Sequence, residues 1–144
     1  MTRQDVLTEA RGWLGTPWHH AACVRGVGVD CVYFPFGVFR ALGLLPAGFV
    51  MPDYGMTPDG HTLIATCERW FGPAIAQRNM RPADLVVLQP DDRPQHVGLI
   101  SAAIRPGVFN MIHAARDHGK VIEHRLMFSR VLGFVAAYRL PGMT

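Results

Sequence analysis

The sequence predicts an α+β domain in which N-terminal helices pack on an antiparallel sheet of about five strands. Two observations carry this. Helical periodicity dominates roughly the first half of the chain, and short β-prone runs separated by turn residues fill the second half. Helices first and strands afterwards argue against alternating βαβ units. The 144 residues fit a single domain spanning 1–144 and allow a sizeable core.

The first helix is expected over residues 2–14, where Val6, Leu7, Ala10, Trp13 and Leu14 recur at helical spacing. Thr2 is its candidate cap, and Asp5 lies near the positive end of the dipole. Gly15-Thr16-Pro17 ends it. Residues 18–29 read as a glycine-containing loop. Asp30 then reads as an N-cap, followed by a buried apolar helix over 31–42. Pro35 leaves the carbonyl of Cys31 without a helical partner, so this helix starts later or bends there. A third helix is expected over 62–71, with Leu63, Ile64, Cys67, Trp70 and Phe71 on one side.

Runs at 85–88, 96–101, 108–113, 120–125 and 133–139 then read as the strands of a meander. Pro90-Asp91-Asp92, Pro106-Gly107 and His118-Gly119 are three of the turns between them.

The composition excludes several classes. Hydrophobic residues make up 49% and charged residues 17%, which is a folded composition. The net charge of +3 is mild and the basic residues are scattered, so no nucleic-acid partner is expected. The longest uncharged stretch, 41–52, is too short to span a bilayer and contains Pro46, so no membrane insertion is expected. The opening Met1-Thr2-Arg3-Gln4-Asp5 carries early charges and no apolar run, which reads as a protein made in the cytoplasm without a signal peptide. Three cysteines with no CxxC pair support neither a disulfide framework nor a zinc ribbon.

Three positions carry chemistry. Gly26-Val27-Gly28-Val29-Asp30 delivers Cys31 to a helix start, where the dipole and free N–H groups favour a thiolate and can bind an oxyanion. His96 opens a strand. His113 ends the next one, where it can neighbour His96 across an antiparallel pair and orient its ring. Each position alone has an ordinary structural explanation. Together, in the order Cys–His–His, they compose a nucleophile, a base and an orienting group.

These residues resemble the NlpC-type cell-wall peptidases, and most closely the branch encoded with phage tails and gene transfer agents. The marks are Trp13-Leu14-Gly15-Thr16-Pro17-Trp18, Gly28-Val29-Asp30-Cys31, Pro82-Ala83-Asp84-Leu85-Val86, His96-Val97-Gly98-Leu99 and Ile112-His113-Ala114. The resemblance implies a circularly permuted papain-like fold, with Cys31, His96 and His113 as the catalytic residues and no cofactor. It implies a peptidoglycan stem peptide as substrate, cut at a bond of the D-glutamate–diaminopimelate type. It also implies phage-tail-like structural proteins as partners, and action on the cell wall from a tail-like particle.

Trp18, His20 and Asp30 are the expected substrate-binding residues, and Trp70, Tyr54 and the loop over 46–60 can shape a groove. The segment Trp18-His19-His20 departs from the family's aromatic-basic-aromatic triplet, and Cys23 has no counterpart in its pattern. Rival readings are a non-catalytic tail-assembly protein, an acyltransferase on the same scaffold, or a zinc site of Cys31, His96 and His113 completed by Cys23 or His20.

Overall fold

The computed structural model describes residues 1–51, 61–90, 96–129 and 132–143. Tyr54, most of the loop expected to shape a groove, and the turn residues Asp91 and Asp92 lie outside the described residues.

Helix α1 (Arg3–Arg11) begins as the sequence predicts. Thr2 accepts from the Asp5 N–H at 3.1 Å, and the Asp5 carboxylate accepts from the Thr2 N–H at 2.9 Å, a reciprocal cap. It ends earlier than the periodicity suggests, and Trp13 turns inward beyond it. The Trp13 indole N–H donates to Glu9 at 2.8 Å, and its ring packs edge-on against Phe34 at 5.9 Å.

Residues 18–29, expected as a loop, contain two short strands, β1 (Cys23–Val24) and β2 (Gly28–Val29), paired antiparallel. The helices α2 (Tyr33–Ala41) and α3 (Thr62–Phe71) follow. Gly37 of α2 allows a close approach: a Cβ there would stand 2.7 Å from both the Cys23 sulfur and the Trp13 ring. Cys23 thereby gains a packing role, and Cys67 is a core residue as its helical face predicts.

Five strands form the main sheet: β3 (Leu85–Pro90), β4 (His96–Arg105), β5 (Val108–Ala115), β6 (Lys120–Met127) and β7 (Leu132–Tyr138). All five were legible as β-prone runs, but the topology differs from a simple meander. The order is β6-β5-β4-β3-β7, so the last strand returns to pair with β3 at the opposite edge. The outer side of β6 is already engaged near its start. Gly15 donates to the Val121 carbonyl and Val121 to the Thr16 carbonyl, each at 3.0 Å, while Trp18 donates to the Gly119 carbonyl at 2.8 Å. That strap leaves the β3 edge with unpaired backbone groups, which β7 satisfies.

Apolar residues pack on both faces of the sheet. Leu85 and Val87 join Val6, Trp13, Phe34, Phe36 and Phe39 in the helix-side core, whereas Val86 and Leu88 join Ile100, Met111 and Leu126 on the other face. Burial on both sides explains the unbroken apolar run from 85 to 88, where an exposed face would give alternation.

Asp84 fixes the entry into β3. It is fully buried, receives a bidentate bond from Arg139 (3.0 and 2.8 Å) and one from Arg3 (3.1 Å), and accepts from the Arg81 N–H at 2.7 Å. One carboxylate thus ties together α1, the end of β7 and the turn before β3. Asp84→Asn removes the charge that both arginines face. It is expected to destabilise the protein by about 3 kcal/mol in urea unfolding, with the dependence on urea concentration unchanged.

Candidate active site

The thiol is positioned by the turn ahead of α2. The sequence suggests a helix beginning at Cys31, but regular helix starts at Tyr33. Pro35 is then the third helical residue, in the first turn, where backbone N–H groups have no intrahelical acceptor and a missing one carries little penalty. Cys31 is left just outside the helix.

The N-cap position is Val32 rather than Asp30 and makes no side-chain cap bond, but Asp30 still holds the start of the helix. One carboxylate oxygen accepts from the Tyr33 N–H at 2.9 Å, and the other from the Ala21 N–H at 2.6 Å. The same oxygen lies 3.9 Å from His20 Nδ1. Asp30 is fully buried, so among the expected substrate-binding residues it bears on the site by shaping this turn.

Strand register brings the histidines together. Leu99 lies opposite Ile112 and Ile100 opposite Met111; continuing that pairing by one residue sets Gly98 opposite His113. His96, two residues before Gly98, shares its face of the strand. Gly98 is required here by a close approach. A Cβ would stand 2.6 Å from Met111 Sδ and 3.1 Å from the Ile112 carbonyl oxygen.

His96 Nε2 and His113 Nδ1 are joined by a short hydrogen bond, with their rings edge-on at 4.5 Å. His113 does not end its strand as expected, because β5 runs on to Ala115.

One further residue belongs to this cluster, and the sequence reading gave it no role. His124 Nε2 lies 2.7 Å from His113 Nε2, and His124 Nδ1 lies 2.7 Å from the Arg125 carbonyl oxygen. On β6, Ile122 is the direct partner of His113, so His124 is its diagonal neighbour on the same face. Only the β5–β6 register, which sequence alone does not fix, would have revealed the contact.

Burial governs the electrostatics. It pushes the Cys31 thiol up to about 12, and the neighbouring Asp30 charge adds to this. The backbone N–H groups of Val97, Cys31 and Val32 pull the other way, which sets the sulfur beside the residue that follows His96. Burial likewise lowers His96 to about 4, with His124 contributing in the same direction. His113, also buried, is lowered first by burial and then by the other histidines. Burial therefore opposes charge on both the thiol and the imidazole. The helix start favours a thiolate as the sequence suggests, but desolvation outweighs it.

His113 spends one ring nitrogen on each neighbouring histidine, leaving no lone pair for a metal. Among the described residues no group of three or more His, Cys, Asp or Glu side chains is arranged to hold a metal ion.

Of the other expected substrate-side residues, His20 is partly exposed near Asp30. Trp18 is half-buried, bridges Val29 through its backbone and carries Arg116 over its ring at 5.2 Å. Its indole Nε1 is buried and has no hydrogen-bond partner among the described residues. A groove lined by Val50, Met51, Thr66, Arg69 and Trp70 lies along α3, and none of the catalytic candidates lines it.

The backbone is similar to two solved structures. One is an NlpC/p60 family protein from Bacillus cereus, at 21% identity and a TM-score of 0.65, covering 97% of this chain and 40% of that one. The other is the NlpC/p60 domain of the peptidoglycan hydrolase SagA, at 16% identity and a TM-score of 0.62, covering 96% of this chain and 99% of that one. This is the papain-like fold of NlpC/p60 domains. No family model matches the sequence, and no curated protein matches it. The chain spans about two-fifths of the Bacillus protein, and at these identities the likeness is one of fold. In this chain the fold places Cys31 ahead of α2 and beside the first residues of β4.

Two outcomes follow from burial. Alkylation of Cys31 in the free protein, followed by mass mapping with a small neutral reagent, should rise through the alkaline range toward pH 12. A plateau at or below neutrality would instead reveal a resting ion pair. Since His96 is lowered in the folded state, its neutral form stabilises the fold above the ordinary value of 6.5, and this contribution is lost as pH falls toward 4. The loss at pH 4 should reach about 3 kcal/mol, read as a falling Tm that His96→Asn reduces.

Proposed function

We propose that this protein is a cysteine endopeptidase that hydrolyses the peptide stem of bacterial peptidoglycan. The observation that carries the reading is the junction of three parts: a thiol beside the Val97 N–H, the imidazole of the adjacent His96, and His113 bonded to that imidazole. The NlpC/p60 fold supports the substrate class, since one similar structure is described as a peptidoglycan hydrolase.

Because burial opposes charge on both groups, His96 acts as general base during attack rather than before it. The Cys31 S–H bond breaks as its proton passes to His96, and the sulfur bonds to the amide carbonyl carbon. The Cys31 backbone N–H is a donor for the oxyanion that forms. His96 then returns the proton to the leaving amine as the C–N bond breaks, giving a thioester. Water, deprotonated by His96, attacks the thioester; the stem-peptide acid departs and the thiol is restored. His113 holds the His96 ring throughout.

The unpartnered indole N–H of Trp18 supports a substrate-side role, because a substrate carbonyl would satisfy it. His20 flanks the same turn. The bond is of the D-glutamate–diaminopimelate type, and the setting is a phage-tail or gene-transfer-agent particle that opens the wall for DNA entry. Both follow from the motif resemblance.

The test is digestion of purified peptidoglycan, with products identified by mass spectrometry. Cys31→Ala should abolish release of stem fragments while leaving the Tm close to that of the wild type. His96→Ala should lower the rate by about 1,000-fold or more. His113→Ala, which loses orientation alone, should lower it by about 10- to 100-fold. Full activity in Cys31→Ala would overturn the reading, and equal, total loss in both histidine variants would favour a metal centre.

A further inference from the structure

The chain of histidines ends on a group that can only accept a hydrogen bond, and this fixes the protons along it. The Arg125 carbonyl oxygen lies 2.7 Å from His124 Nδ1, so Nδ1 carries a proton and donates it. In the neutral ring, Nε2 then holds a lone pair. His113 Nε2, 2.7 Å away, must donate to it. That leaves a lone pair on His113 Nδ1, so His96 Nε2 donates in turn. His96 Nδ1 remains as the bare nitrogen, which is the form a general base requires.

We propose that His124 is a positioning residue that sets the tautomers of His113 and His96 and so keeps His96 Nδ1 free for the Cys31 proton. The inference rests on the cysteine-peptidase reading above and extends its triad by one residue. Its logic is visible in the opposite arrangement. A cationic His124 would donate from Nε2, His113 would then donate from Nδ1, and His96 would carry its proton on Nδ1 with no lone pair for the thiol. Both arrangements contain the same hydrogen bonds, and one proton on His124 separates them.

The groups around His124 leave this role to it. Arg125 beside it is engaged with Asn110, and Glu123 with Arg11. Asp117 and His118, which influence His96 and His113 respectively, stand in the turn between β5 and β6. Met111 faces His124 across the pair. Of these residues, His113 is the one hydrogen-bonded to the His124 Nε2. Being exposed on an edge strand, His124 tolerates substitution without opening the core.

The test is a long-range ¹H–¹⁵N correlation spectrum of the full chain labelled with ¹⁵N-histidine, at a mildly alkaline pH where the rings are neutral. The wild type should show the proton on Nδ1 of His124 and on Nε2 of His113 and His96. In His124→Phe the acceptor is gone. His113 and His96 should lose their single tautomer, and kcat for a soluble stem peptide should fall about tenfold with KM unchanged. In His124→Gln the amide oxygen can accept from His113, so the tautomers and most of kcat should return.

A wild-type proton on His113 Nδ1, unchanged tautomers in His124→Phe, or no rescue by His124→Gln would each overturn the proposal. The spectra need no turnover. Failure of the peptidase reading would therefore show separately, as the expected tautomers in a wild type that cleaves nothing, and it would take the positioning role with it.

Discussion

A carboxylate can be buried only when its oxygens are satisfied, and Asp30 meets that condition by joining the two segments that frame Cys31. It holds the start of α2 through the Tyr33 N–H and grips the preceding loop through Ala21. Cys31 follows directly and has little freedom to go elsewhere. Pro35 cooperates, because a proline in the first turn is compatible with a helix that begins at Tyr33 but would interrupt one that began much earlier. The position of the thiol is therefore set by backbone chemistry on either side of it.

The same constraint bears on the charge of the site. Packing that fixes Cys31 also draws it partly out of water, and His96 is half-buried as well. Desolvation opposes charge on both side chains, and the backbone N–H groups around the sulfur only partly offset it. His113, the buried member of the three, is compatible with a stable fold because both of its ring nitrogens have a partner, in a chain that ends on a backbone carbonyl at the strand edge.

Much of the fold was legible in the sequence because its signals are local. The Thr2–Asp5 cap, the helix over Thr62–Phe71 and the five β-prone runs depend on neighbouring residues alone. The return of β7 to β3 was not legible, because it depends on the strap at Gly15–Trp18 engaging the far edge of the sheet. The pairing of β1 with β2 escaped for a related reason, since two-residue strands leave no periodicity to read. Asp84 was recognised as part of a motif, but its ties to Arg3 and Arg139 span most of the chain. Within the site, Cys31, His96 and His113 stood out through the element boundaries the sequence suggests there, although β5 runs on past His113 and α2 starts two residues after Cys31. His124 did not, because it sits mid-strand and meets His113 only through a diagonal cross-strand contact.

The central claim is covalent catalysis by Cys31, and the most direct measurement is product analysis of stem-peptide cleavage in the presence of hydroxylamine. A thioester intermediate would be intercepted by the amine. The account therefore predicts the hydroxamate of the acyl fragment beside the free acid, in a ratio that rises with hydroxylamine concentration. Cleavage that yields the free acid alone at every concentration would mean that water attacks the amide directly, and it would contradict the account.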